Sequence, residues 1–174
     1  MNVIKEIQTE TAFYKNQLSS NLIDFLFQRP ALLISLFIKH LRFMEFYSKK
    51  DVRYYYHYFF YLRLSYKLGF QIPPHTIEYG VRFYHWGTII ITSDAKIGRN
   101  CTIYPGVTVG KNYKGALKIG DNCFLGLGSK VLGDVRIGNN VMILANAVVT
   151  KDIPDNCIVA GIPAKIIRYI TDEK

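Results

Sequence analysis

Apolar positions in the second half of the chain recur every six residues. Ile91, Ile97, Ile103 and Val109 form one series; Ile119, Leu125, Val131, Ile137, Ile143 and Val149 form another. Four residues after most of these comes a small or β-branched residue: Ala95, Cys101, Val107, Cys123, Ser129, Val135, Val141 and Ala147. Glycine follows directly at Gly98, Gly110, Gly120, Gly126 and Gly138. A period of six is neither that of an amphipathic helix nor the alternation of a half-buried strand. It is the hexapeptide signature of a parallel β-helix. Short strands then pair in parallel from coil to coil at about 4.8 Å, with the six-residue positions stacked inward as columns. Residues 71–168 are expected to make about five coils of this kind.

Polar and apolar positions in the front of the chain follow another rule. All 13 glycines lie between Gly69 and Gly161. Tight corners need glycine and helix interiors avoid it, so residues 1–70 are expected to be helical. One helix is expected from Met1 to about Leu18. A second, capped by Ser19, Ser20 or Asn21, should reach Phe27. Pro30 suits the first turn of a third, ending near Ser48. Asp51 can cap a last helix, Val52 to Leu68, closed by Gly69. That helix interleaves Tyr54, Tyr55, Tyr56, Tyr58, Phe59, Phe60, Tyr61 and Tyr66 with Arg53, Arg63 and Lys67. Such a face either packs on other helices and a neighbouring subunit or meets a membrane surface or lipid-linked acceptor. Peripheral membrane contact through the N-terminal helices is therefore a candidate partnership. No recognised RNA module accompanies the aromatics, and no nucleic-acid partner is expected.

The repeat breaks once. Ten residues separate Val109 from Ile119, four more than the period. Lys111 to Lys118 should leave the stack as a loop, and such loops usually lie on the binding face. Residues 169–174 read as a C-terminal tail.

Composition narrows the picture. The chain has 174 residues, 49% hydrophobic, with a formal net charge of +9. The basic residues are scattered, which suits a phosphate-rich ligand, an anionic saccharide or a membrane surface better than a nucleic-acid tail. Cys101, Cys123 and Cys157 have no metal-ligand spacing, and an odd count implies no disulfide framework. Ala31 to Ile38 is too short to cross a bilayer, and Met1 to Glu10 carries no signal-peptide core. The expectation is a cytoplasmic protein, in contact with the inner membrane face if the aromatic helix docks there.

The repeat, the looped-out insertion and the ending Ile158-Val159-Ala160-Gly161-Ile162-Pro163-Ala164-Lys165-Ile166-Ile167 together resemble the hexapeptide-repeat acyltransferases. The nearest branch is the serine acetyltransferase-like group, which includes O-acetyltransferases of bacterial polysaccharides. The resemblance covers residues 72 to 168. It implies a mainly β fold, a left-handed parallel β-helix behind an N-terminal α-helical region, assembled as a homotrimer with active sites between subunits. It also implies acetyl-CoA as co-substrate, with no metal.

His85, in Tyr84-His85-Trp86-Gly87-Thr88-Ile89-Ile90-Ile91, matches the catalytic histidine of the group. An acceptor hydroxyl is a poor nucleophile at neutral pH, and an imidazole can take its proton as it attacks a thioester. Glu78 is the candidate orienting carboxylate. Gly110, Leu127 and Ala145 match positions whose backbones meet the thioester end and pantetheine arm of the coenzyme. Lys111, Lys151 and Lys165 are candidate phosphate contacts. His75 resembles a second histidine of the group; His40 and His57 read as packing or surface residues.

Three departures bear on the acceptor. Tyr84 stands where serine acetyltransferases carry Asp, Pro73 stands where their orienting Asp falls, and Lys111 to Lys118 lacks their Arg-His pair. These favour a saccharide hydroxyl over free serine, the alternative being serine O-acetylation. A non-catalytic β-helical scaffold is a further alternative. Zinc catalysis on the same fold needs three histidines in adjacent coils, and the repeat region offers His75 and His85 only.

Overall fold

The computed structural model describes residues 3–15, 30–110 and 117–170. The helix expected before Phe27, the loop residues 111–116 and the tip of the C-terminal tail lie outside these. Two compact units are present: Met1–Phe70 with His85–Gly87, and Gln71–Tyr84 with Thr88–Lys174.

In the first unit, α1 (Val3–Lys15), α2 (Pro30–Phe46) and α3 (Val52–Leu68) follow the expected pattern closely. Pro30 opens α2, where its missing N–H costs nothing. Asp51 caps α3 by accepting from the Arg53 N–H at 2.9 Å, and Gly69 ends it at φ 76°, donating to the Ser65 carbonyl. Ile34, Phe37, Ile38, Leu41 and Met44 bury one face of α2. Phe37 stacks on Tyr61 of α3 at 5.4 Å and meets Phe70 edge-on at 5.3 Å. α1 is tied to α2 by a buried ion pair. The Arg42 guanidinium donates to both oxygens of Glu10, at 2.9 and 3.0 Å, and to Glu45 at 2.9 Å. Its side chain is only 1% exposed, and that of Glu10 2%.

β1 (Phe70–Gln71) leads from the helices into the coils. One face of the second unit stacks β3 (Ile89–Ile91), β6 (Thr108–Gly110), β9 (Lys130–Leu132) and β12 (Val148–Val149). The next stacks β4 (Lys96–Ile97), β7 (Lys118–Ile119) and β10 (Arg136–Ile137). The third stacks β2 (Arg82–Phe83), β5 (Thr102–Ile103), β8 (Phe124–Leu125), β11 (Met142–Ile143) and β13 (Cys157–Ala160), all parallel. The repeated β3-β6-β9-β12 stack makes about four turns, close to the five expected.

Register explains the six-residue period. Ile91, Val109, Val131 and Val149 form one inward column. Ile97, Ile119 and Ile137 form the second, extended by bridges to Ile77 and Ile153. Phe83, Ile103, Leu125, Ile143 and Val159 form the third. Every one of these residues is buried, as are the small residues four positions later. Cys101, Cys123 and Cys157 are buried free thiols in this interior.

The corners show why glycine recurs. A Cβ on Gly120 would sit 2.6 and 2.7 Å from the carbonyl of Gly138 and 2.5 Å from Asn139 Oδ1. The coils approach so closely there because carboxylate and amide oxygens bridge them: Asp121 Oδ1 accepts from the Arg99 N–H, Asn139 Oδ1 from Asp121, and Asp155 Oδ1 from Asn139. At the end of the solenoid, β14 (Lys165–Tyr169) turns back antiparallel on β13, pairing Lys165 with Ala160.

Candidate active site

His85 lies in the connection between β2 and β3, and its side chain is exposed. Gly87, two residues on, has φ 139° and donates its N–H to the Leu68 carbonyl at the end of α3. The segment His85–Gly87 thus clusters with the helical unit. Tyr84, directly before the histidine, is instead part of the β-helix unit. Its ring stacks on Tyr104 at 5.3 Å, and Tyr104 in turn meets Phe124 at 5.2 Å. Glu78 is exposed in the first irregular coil, where its N–H donates to the Ile97 carbonyl. His75 holds φ 63°, and its carbonyl accepts from Lys96 Nζ at 2.6 Å.

Register places the other candidates on two corners of the β3-β6-β9-β12 face. Leu125 pairs with Ile143, and Ile143 with Val159. Two residues further along each strand come Leu127, Ala145 and Gly161, stacked at one corner. Asn146 donates to the Leu127 carbonyl, and Val148 to that of Gly161. The N–H groups of Leu127 and Ala145 make no hydrogen bond among the described residues, whereas those of Gly126, Gly128, Leu144 and Asn146 all do. Both residues are exposed, Leu127 at 52%. Lys165, paired with Ala160, lies at this same corner. The structure therefore brings Leu127, Ala145 and Lys165 to one edge: two unused donors and a cation.

Gly110 lies at the opposite corner. It pairs with Leu132, and its carbonyl accepts from Gly133. Because Val131 pairs with Val149, Lys151 falls in line with Gly133 at that corner, exposed. Lys111 lies outside the described residues.

One cluster was hidden from sequence reasoning. His40 of α2 and His57 of α3, expected only to pack or face solvent, point Nδ1 at Nδ1 across 2.9 Å. Phe60 stacks on His40, and Phe43 and Tyr47 stack on His57. Burial, then the His57 and Lys39 charges, push the His40 pKa down to about 4, and burial and Lys39 lower that of His57 as well. Seventeen residues separate them. Only the antiparallel docking of two helices makes them neighbours.

Comparison with known proteins bears on the coils. Residues 117–151 match the bacterial transferase hexapeptide (six repeats) model, and residues 88–114 match the hexapeptide repeat of succinyl-transferase. The serine acetyltransferase of Synechococcus elongatus is 38% identical over 104 residues, 57% of this chain and 43% of that protein. That of Staphylococcus aureus is 40% identical over 106 residues, 58% of this chain and 49% of the relative. Over its coils the chain is similar to the hexapeptide-repeat acyltransferases, and among them to serine acetyltransferases.

The match thus covers less than half of these relatives' own length. Solved structures agree on the fold, a left-handed parallel β-helix with N-terminal helices. Neisseria gonorrhoeae serine acetyltransferase in complex with serine superposes with TM-score 0.69 at 27% identity, covering 95% of this chain and 69% of that one. The Brucella abortus enzyme in complex with coenzyme A gives TM-score 0.70 at 27% identity, covering 97% and 67%. The saccharide acceptor expected from the departures finds no support in these relatives' names; serine, the alternative, is the better supported.

Proposed function

We propose that this chain is an acetyl-CoA-dependent O-acetyltransferase whose acceptor is a small hydroxyl compound, with L-serine as the first candidate. The observation that carries the reading is the exposed corner where Leu127 and Ala145 hold out unused N–H donors beside Lys165. A pantetheine arm carries amide carbonyls that such donors fit, and the phosphates of the coenzyme suit Lys165. Acetyl-CoA supplies the thioester carbonyl. His85 takes the proton from the acceptor hydroxyl as the oxygen attacks that carbonyl, and the coenzyme thiolate leaves. The ester forms directly, without an acyl-enzyme. Serine as acceptor rests on what the matched relatives are named for, and homotrimeric assembly belongs to the same proposal.

A saccharide acceptor remains the second reading, favoured by Tyr84 in place of a carboxylate beside His85. The stacked ring of Tyr84 has no charge to offer a serine ammonium. The test is release of free coenzyme A thiol with L-serine against a panel of hexoses and N-acetylhexosamines. Turnover with serine supports the main reading, turnover only with sugars supports the second, and no turnover with any acceptor removes both. His85→Ala should lower kcat by about 10²–10⁴ and leave coenzyme A affinity unchanged. An unchanged kcat would remove His85 as the base.

A further inference from the structure

Among the described residues, most of the outward aromatic face of α3 is exposed; Tyr56 alone of its stripe meets a ring of α2, that of His40 at 6.2 Å. Tyr61, Ser65 and Leu68 are the buried residues of the helix. At 100° per residue, Val52, Tyr55, Tyr56, Phe59, Arg63, Tyr66 and Lys67 fall within an arc of roughly 120° on the opposite side. A solvated helix face carries mixed polar residues there. This one is 80% exposed at Val52, 59% at Tyr55, 55% at Phe59 and 85% at Tyr66.

Its charges have one sign. α3 contains no Asp or Glu. Arg63 lies over the Phe59 ring at 5.8 Å, Lys67 is exposed one turn on, and Lys49 and Lys50 are exposed in the turn before the helix. Asp51, the N-cap of the helix, is held by Arg53 at 2.6 Å. A second copy of the face would bring no acid to meet these cations, and an anionic lipid surface would. Tyrosine suits the polar–apolar boundary, ring inward and hydroxyl at the headgroups. At about 1.5 Å per residue α3 lies some 25 Å along such a surface, and no helix among the described residues is long and apolar enough to cross it.

We infer that the outward stripe of α3, Val52 to Lys67, docks the protein on an anionic lipid bilayer with the helix axis in the plane of the headgroups. Each basic residue near an anionic surface contributes about 1 kcal/mol, roughly five-fold in partition. The inference is independent of the acetyl-transfer reading, since it uses none of the residues placed at that site.

The test is sedimentation of the full chain with vesicles of phosphatidylcholine alone and with 30% phosphatidylglycerol. The bound fraction should rise at least ten-fold with phosphatidylglycerol and fall sharply in 0.5 M salt, where screening reaches about 4 Å. Tyr55→Ser/Phe59→Ser/Tyr66→Ser should lower partition about ten-fold or more, and Arg63→Gln/Lys67→Gln about twenty-five-fold. Both should keep the wild-type thermal midpoint and coenzyme A binding. Wild-type protein left in the supernatant at low salt would overturn the inference. So would equal pelleting by neutral and anionic vesicles, or light scattering showing that the triple variant breaks an assembly while wild type ignores vesicles.

Discussion

The His40–His57 contact makes the helical unit sensitive to acid. At 2.9 Å one Nδ1 donates its proton and the other accepts with its lone pair. Protonating the acceptor puts two N–H groups face to face, in an aromatic pocket beside Lys39. His40 is 8% exposed, with its pKa lowered from 6.5 to about 4. A folded-state pKa below the unfolded value means stability that is present above pH 6.5 and lost as pH falls towards 4. The full span of 2.5 units corresponds to about 3 kcal/mol. At pH 5.0 the unfolded imidazole is almost wholly protonated and the folded one is not, which removes about 2 kcal/mol relative to pH 7.5. His57 adds in the same direction. Urea unfolding followed by tyrosine fluorescence or far-ultraviolet dichroism should show the midpoint falling by about 1 M between the two pH values. His40→Phe/His57→Phe keeps both rings in their stacks and removes both titrations, so its midpoint should fall much less. If wild type and double variant lost equal stability between pH 7.5 and 5.0, the paired-imidazole reasoning would be refuted.

Breaking the buried pair between α1 and α2 should be costly in one direction only. Arg42→Met removes the guanidinium that meets both oxygens of the buried Glu10 carboxylate and should cost about 3–5 kcal/mol by urea unfolding, most of it recovered in Glu10→Leu/Arg42→Met. Gly120→Ala forces the coil corner apart against Gly138 and should lower stability by about 1–3 kcal/mol, whereas Gly133→Ala meets no neighbouring atom within 4 Å and bears only the strain of its φ of 95°. Under the acetyl-transfer reading, Lys165→Ala should raise KM for acetyl-CoA several-fold with kcat retained; an unchanged KM would take Lys165 out of the coenzyme contact.

Much of the fold was legible because its signals are local and repeated. Each coil must bury the same positions, so the six-residue grid named every residue of the three interior columns from Ile91 to Val149. The caps of α3 were legible for a related reason: Asp51 and Gly69 act on backbone groups within four residues. The candidate coenzyme edge was half legible. Leu127 and Ala145 could be matched one at a time, but their shared corner with Lys165, and the unused N–H groups there, follow from inter-coil register and from the antiparallel return of β14.

Other features were invisible because they join residues with no common period. Glu10 and Arg42 stand 32 positions apart, His40 and His57 seventeen. Nothing in either local pattern marks the partner, and only helix docking supplies it. The aromatic-basic helix shows the same division. Its composition was plain in the chain, and the tertiary structure decided that Tyr61 alone of its aromatics is buried while Tyr55, Phe59 and Tyr66 face outward. By itself the sequence determined the solenoid, because stacking identical coils writes its packing rule into every sixth residue. What the tertiary structure decided were the contacts that each occur once, where burial and charge depend on a neighbour brought from far along the chain.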